Sequence, residues 1–459
     1  MKQTLLVPEL RELLAERRTD SLRRFCEEGH PAIVAELIGG LDPGEIWQIL
    51  RLLPVNGRAE IFSHFDLDQQ AELAGGESRQ AMASLLEELP HDDRADLVQH
   101  LDPQVAEQIL PLVAKAERED IRKLTSYAEG TAGALMSSDY ATLRPDMTVS
   151  QALEQIRLQA PTKETIYYIY VVDDQHRLIG FVSLKDLILA RPAQWVRDVM
   201  HEDVIRADVN EDQEPVARKI EKYDLLAIPV TNGDGKLVGI ITHDDAMDVI
   251  RQEQQEDVEK FMAIGGEHQA GEYLRTHALV HFRNRVVWVV ILGVLGLVSG
   301  LIVQNFEGLL LHFAVLAAFM PMLADTGGNT GSQSATLVVR ALALGEVGPR
   351  DVLRIILKEF QVSVLLAAVL ALVAFARVLA FGGGSTMPEG YSLVWVGVAI
   401  SIALGLQVIS ATLIGAILPL LAAKMKRDPA VIASPALTTV VDITGLLLFF
   451  GTAKLLLGV

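Results

Sequence analysis

The strongest constraint on this chain is how charge and apolar residues are divided along it. Residues 286–459 hold nine of the 40 Lys/Arg and eight of the 59 Asp/Glu, a balance of +1. The overall charge is −19, so residues 1–285 carry −20. A polar, acidic front portion is therefore joined to an apolar tail.

The tail contains five apolar runs, near 286–304, 309–323, 360–381, 393–421 and 431–457. A bilayer core of roughly 30 Å is crossed by about 20 apolar residues in a helix, so five membrane spans are predicted. Basic residues precede the first run (Arg275, Arg283, Arg285). They also lie between the second and third runs (Arg340, Arg350, Arg354, Lys358) and between the fourth and fifth (Lys424, Lys426, Arg427). The two remaining loops, QNFEG and GGGSTMPEG, have none. Lys/Arg-rich loops stay on the cytosolic side. The expectation is a cytosolic N-terminus and, with five spans, a C-terminus outside. A soluble protein with five buried helices would not produce that alternation.

Two polar places in the tail need a reason, because desolvating polar groups in a bilayer is costly. The segment PMLADTGGNTGSQ, residues 321–333, has a proline and three glycines. It is expected to break the helix at membrane depth, which is tolerated where backbone lines a wet cavity. Its freed carbonyls would be hard oxygen ligands for a cation or its water shell. The plainer alternative is a loop at the membrane surface. Asp442 is the one charged residue between Asp428 and Lys454. It is a functional candidate by default, unless Thr438 or Thr439 simply bonds it for packing.

The acidic front portion argues against nucleic acid as a partner and for cations. The single cysteine, Cys26, forms no internal disulfide, and the charged N-terminus lacks the apolar run of a signal peptide. Apolar residues at three- and four-residue spacing (Ile46, Leu50, Leu53; Leu85, Leu86, Leu89; Val105, Ile109, Leu112) predict helices over 5–125. Asp-Pro pairs at 42–43 and 102–103 read as helix starts. A repeat follows at a constant offset of 59, with YVVDDQHRLIGFVSLKD (170–186) matching PVTNGDGKLVGIITHDD (229–245). Each copy reads as strand, tight turn, strand and a helix opened by Asp, after a Met-containing lead (Leu135-Met136, Val199-Met200). Residues 202–259 hold sixteen acidic and six basic side chains. Such a surface repels itself when its parts approach, unless divalent cations intervene; a solvated acidic face is the plainer alternative. Residues 246–264 read as one long polar helix joining this portion to the tail. No G-x-S-x-G, H-E-x-x-H or P-loop pattern occurs, so an enzyme is not expected.

The repeat resembles a tandem CBS pair. The whole order, with PMLADTGGNTGSQSATLVVRALALGE and DPAVIASPALTTVVDITGLLLFF, resembles the MgtE family of magnesium channels and transporters. The resemblance implies a multidomain fold: an all-α superhelical N-terminal domain (1–130), a CBS α/β pair (131–250), a connecting helix (246–282) and a five-helix transmembrane domain (283–459). It implies a homodimer in the cytoplasmic membrane, in contact with lipid. Mg²⁺ would be both cargo and regulator, with other divalent cations as further cargo and ATP at the CBS pair. Carried over residue by residue, Gly327, Gly328, Asn329 and Asp442 would hold the hydrated ion. Cytosolic Mg²⁺ would meet Asp92, Asp96, Asp212, Glu214, Asp224, Asp245, Asp248, Glu253, Glu256, Asp257, Asp428 and, on a looser match, Glu60. Asp325 matches no family role; it would add negative potential near the pore mouth. A transporter coupled to H⁺ or Na⁺ is the main rival, because broken helices also mark transporters. An anion channel fits the acidic front portion poorly.

Overall fold

The computed structural model describes residues 3–262, 264–265, 276–343, 345–348, 350–381, 390–425 and 435–458. The chain divides into two compact units, Met1–Glu253 and Gln254–Val459.

The first unit opens with short helices, most of which pack on the helix two further along the chain. The Asp-Pro reading holds. Asp42 precedes the helix Pro43–Leu50, and its amide donates to Glu45 at 3.1 Å. Asp102 precedes Pro103–Ile109 and caps the Gln104 amide at 2.8 Å. Ile46, Leu50, Leu53, Leu85, Leu86, Leu89 and Ile109 are buried, as their spacing predicts. Leu112 is exposed, because the helix has tightened into a 3₁₀ turn, Leu110–Leu112, where the helical spacing no longer applies. Two later helices matter below, α1 (His91–His100) and α2 (Lys115–Leu124).

The repeat folds as two matching three-stranded sheets. In the first, β1 (Tyr140–Leu143) is parallel to β2 (Thr165–Val172), which is antiparallel to β3 (Leu178–Ser183). In the second, β4 (Ala207–Asp208), β5 (Ala227–Thr231) and β6 (Leu237–Thr242) repeat that order. The register obeys the offset of 59: Val171 pairs with Gly180, and Val230 with Gly239. The hairpin turns match as well. Asp173 Oδ1 accepts from the amides of Gln175 and Arg177, both at 2.8 Å, and Asn232 Oδ1 accepts from Asp234 and Lys236. The left-handed residue is His176 in one turn and Gly235 in the other.

The two copies are joined crosswise. Met136, from the lead of the first copy, lies over Gly239 of the second; Met200, from the second lead, lies over Gly180 of the first. Ser137 and Ile240 exchange two backbone hydrogen bonds, as do Phe181 and His201. A β-carbon at either glycine would collide with the opposing Met and backbone, which explains the invariant spacing of glycine within the repeat. Helix α3 (His243–Phe261) follows β6. It ends three residues short of the 246–264 expectation and starts three residues earlier.

In the second unit, four helices are long and apolar enough to cross a membrane: α4 (Ala278–Asn305), α6 (Val352–Phe381), α7 (Leu393–Lys424) and α8 (Pro435–Leu457). The second predicted span is not one helix. Residues 309–323 divide into Glu307–His312, Ala314–Ala317 and the start of α5 (Met320–Ala343). By length α5 extends about 36 Å, but its polar residues keep it out of the apolar set. Outward-facing residues of α4, such as Val289 at 64% and Leu297 at 67% exposure, suit a bilayer.

The predicted break at 321–331 is also absent, since α5 runs continuously through it. Pro321 is its second residue, where no intrahelical N–H is needed. Two of the three glycines, Gly327 and Gly331, serve close packing instead. A β-carbon on Gly415 of α7 would strike the Gly331 carbonyl, and one on Gly327 would overlap the Gln407 amide. Small residues at such crossings let helix backbones meet in a membrane.

Candidate functional site

In the membrane unit, Asp442 sits about two turns into α8 and is partly buried. It lines a cavity of about 240 Å³ with Ser299 and Gly300 of α4, Ala324 of α5, Gln407 of α7 and Gly445 of α8. Among the described residues, no hydrogen bond or ion pair reaches Asp442. The packing alternative, a Thr438 or Thr439 hydroxyl on this carboxylate, is therefore not what the fold builds. A carboxylate without a partner beside a membrane cavity is suited to a cation or to its coordinated water.

Asn329 lies on the exposed face of α5, and its Nδ2 donates to Asp325 Oδ1 at 3.0 Å. With the donor end occupied, the amide oxygen remains as an acceptor. Gly327 and Gly328 are helical, which corrects the expectation of free loop carbonyls. Their carbonyls belong to the helix ladder, and Gly327 is buried against Gln407.

In the first unit, acidic residues converge where α1 meets the second CBS copy. Asp92, Asp93 and Asp96 of α1 face Asp245 at the start of α3, together with Glu164 before β2. Burial, then Asp245, pushes Asp93 up to about 7. The same two causes, followed by Glu129, push Asp96 up to about 6. Glu164 also rises to about 6, from burial and then Asp245 and Asp244. Asp92 is held well above the carboxylate range by burial and by Asp245, Asp93 and Glu164. Its Oδ1 is buried with no hydrogen-bond partner. Burial raises Asp245 too, with like charge from Asp244 and Asp248, although Thr242 bonds its carboxylate to begin α3.

These groups are all hard oxygen donors, the chemistry that Mg²⁺ or Ca²⁺ takes. Among the described residues, however, no three His, Cys, Asp or Glu form a direct metal-ligand group. The cluster suits a cation that keeps most of its water. Beside it, His91 ties three parts together: Nδ1 lies 2.7 Å from Asp120 of α2 and Nε2 3.0 Å from Asp139. Burial opposes its charge, but the hydrogen bonds it donates to Asp120 and Asp139 outweigh burial and raise it to about 9.

The remaining sequence-predicted positions are engaged locally. Asp212 caps the Glu214 amide at 3.0 Å, and Glu214 pairs with Arg218. Asp224 is exposed with φ of +50°. Asp248 pairs with Arg251 at 3.1 Å, Glu253 accepts from Gln213 at 2.9 Å, and Glu256 pairs with Lys260 at 2.7 Å. Asp257 is partly buried on α3, and Glu60 is exposed on the helix Val55–Phe62. Asp428 and the GGGSTMPEG segment up to residue 389 lie outside the described residues. The sequence sets Asp93 with Asp92 and Asp96 at one helix start without assigning it to the site. Glu164 carries no local signal, and only the fold brings it to the cluster.

Comparison with known proteins fits this division of the chain. Residues 320–452 match the family described as MgtE, divalent cation transporter, and 29–130 match the MgtE intracellular N domain. Residues 132–193 and 196–252 match CBS domains. A magnesium transporter MgtE of Thermus thermophilus is 38% identical across all of this chain and 99% of its own length. This chain belongs to the MgtE family. The Bacillus subtilis magnesium transporter MgtE is 34% identical over 91% of this chain and 92% of its own. The crystallised cytosolic domain of an Mg²⁺ channel MgtE in complex with ATP is 40% identical. It covers 52% of this chain and 98% of its own, with a TM-score of 0.51. As a family member with four long apolar helices, the chain is a multi-pass membrane protein with a CBS pair. Its named full-length relatives are transporters rather than enzymes.

Proposed function

We propose that the protein conducts Mg²⁺ into the cell across the cytoplasmic membrane, as a homodimer closed by Mg²⁺ on its acidic cytosolic residues. The observation that carries the reading is the unpartnered Asp442 carboxylate beside the membrane cavity. Mg²⁺ holds an octahedral shell and dehydrates reluctantly. Asp442 then acts through coordinated water, as an acceptor, and Asn329 presents its amide oxygen to the same hydrated ion. Gly327 contributes close packing of α5 against Gln407. In this reading α5 is the fifth crossing, the N-terminus is cytosolic and the C-terminus is outside.

Regulation follows from the acidic cluster. Carboxylates on α1, Glu164 and Asp245 cannot all ionise at close range without a compensating cation. Several weakly held Mg²⁺ ions would favour the compact arrangement and shift the population toward the closed state. The acidic residues of α3, among them Glu253, Glu256 and Asp257, extend that sensor along the helix. ATP binding to the cytosolic portion is carried over from the crystallised relative's complex with ATP, and the CBS pair is the place assigned to it in this reading.

The test is Mg²⁺ influx into liposomes containing the full chain. Asp442→Asn abolishes influx while folding is retained, and influx at the wild-type rate would remove Asp442 from the pathway. Imposed H⁺ and Na⁺ gradients decide the mode of transport. Influx that follows either gradient would replace the channel reading with coupled transport.

A further inference from the structure

The amide of Gln407 is wedged between the two polar motifs of the membrane unit. It is 1% exposed, on α7. A β-carbon on Gly327 of α5 would overlap its amide, and one on Gly445 of α8 would lie 3.0 Å from its Cγ. Glycine at both positions makes the slot that this side chain fills. Gly445 is three residues after Asp442, on the same side of α8, and Gly327 is two before Asn329. Gln407 thus reaches across from α7 to the level where both motif helices carry their polar groups.

Its orientation is determined by one hydrogen bond. Nε2 donates to the Leu323 carbonyl at 3.2 Å. Turning the amide over would set oxygen against oxygen, so Oε1 is directed away from Leu323. That oxygen is buried and, among the described residues, has no donor. An unsatisfied buried acceptor is costly, and most such atoms in native proteins have a reason. Helical N–H groups nearby are already used by their own ladders. The remaining source of a donor is the cavity that Gln407 lines with Asp442. At roughly 30 Å³ per water, its volume of about 240 Å³ admits a cation with its inner waters. Those waters point their hydrogens outward and need acceptors.

We propose that Gln407 is a ligand-shell residue of the cation pathway, its Oε1 accepting from water coordinated to the divalent cation held at Asp442. The proposal rests on Asp442 being the cation site and adds a third helix to it. The Leu323 bond and the two glycines hold the amide in the cavity wall; Oε1 is closed to solvent there, so the amide has to turn toward the cavity for the contact to form.

The experiment compares wild type, Asp442→Asn, Gln407→Met and Gln407→Leu as full chains in liposomes. Mg²⁺ influx is read against concentration, and thermal unfolding is read in Mg²⁺-free detergent. Methionine fills the slot without an acceptor. The expected result for Gln407→Met is a five- to tenfold rise in half-saturating Mg²⁺, larger than the change in maximal rate. Its unfolding midpoint equals or exceeds that of wild type, because an unsatisfied oxygen has been removed. A packing role alone predicts the reverse: a lower midpoint and an unchanged half-saturation. Leucine, being shorter, gives the same shift where methionine misfits. Half-saturation within twofold of wild type in both Gln407 variants, with Asp442→Asn inactive, would overturn the assignment of Gln407 alone. Full influx by Asp442→Asn would overturn the site itself.

Discussion

Replacing Asp93 by Asn tests whether the acidic cluster is held in an electrostatically unfavourable state. Burial and Asp245 raise Asp93 from an ordinary 3.8 to about 7. Each unit is worth about 1.4 kcal/mol, so the full shift corresponds to about 4 kcal/mol. Asp93 is only partly buried, and water screens part of that; roughly 1–2 kcal/mol is the working figure. The sign follows from proton linkage. Below pH 4 both folded and unfolded chains keep the proton. Between pH 4 and 7 the unfolded chain releases it while the folded chain retains it, so stability falls as pH rises and is lost in full above about 7. Asp96 and Glu164, raised to about 6, act in the same direction. His91, raised from 6.5 to about 9, keeps its full contribution up to about pH 6.5 and begins to lose it above that, so it adds to the fall at pH 7.5 in wild type and Asp93→Asn alike. The assay is thermal unfolding of the full chain in Mg²⁺-free detergent at pH 5 and pH 7.5. The transition of the first unit falls with pH in the wild type. Asp93→Asn raises its midpoint at pH 7.5 by about 2–8 °C, at roughly 2–4 °C per kcal/mol. Added Mg²⁺ stabilises wild type at pH 7.5 more than it does Asp93→Asn. A wild-type midpoint that climbs from pH 5 to 7.5, or an Asp93→Asn chain less stable than wild type at pH 7.5, would refute the reasoning.

Two further outcomes are expected. Gly415→Leu drives a side chain into the Gly331 carbonyl and costs at least 1–3 kcal/mol as overpacking, seen as a lower unfolding midpoint and loss of the monodisperse peak on gel filtration. Neutralising Glu253, Glu256 and Asp257 together leaves influx running at high internal Mg²⁺; patch recording that finds normal closure would remove α3 from the sensor.

The strand repeat was legible because its signal is local. Turn residues, the capping Ser183/Asp186 and Thr242/Asp245 pairs and the glycines recur at one offset, and the registers of β2/β3 and β5/β6 follow from them. Helical spacing likewise marked the buried residues of the N-terminal helices. The reading failed at 309–343, where glycine and proline signal a break only if nothing else requires them. Here the requirement came from α7: Gln407 and Gly415 need small partners on α5, and helix packing overrode the breaking tendency. The apolar run before it was misread as a span because hydropathy alone does not register a turn at Phe313 between two short helices.

Apolar runs, charge segregation and the repeat determined by themselves that this chain would have a membrane portion, an acidic front portion and a doubled strand–turn–strand unit. Burial and periodicity act over a few residues, and the sequence records them directly. Only tertiary structure decided which carboxylates would meet. Asp92, Asp93 and Asp96 come from one helix, Glu164 from just before the central strand of one sheet and Asp245 from the helix that follows the other. Only tertiary structure, too, set Gln407 between two glycines beside Asp442. Electrostatic and steric coupling depend on distance through space, and separation along the chain does not encode it.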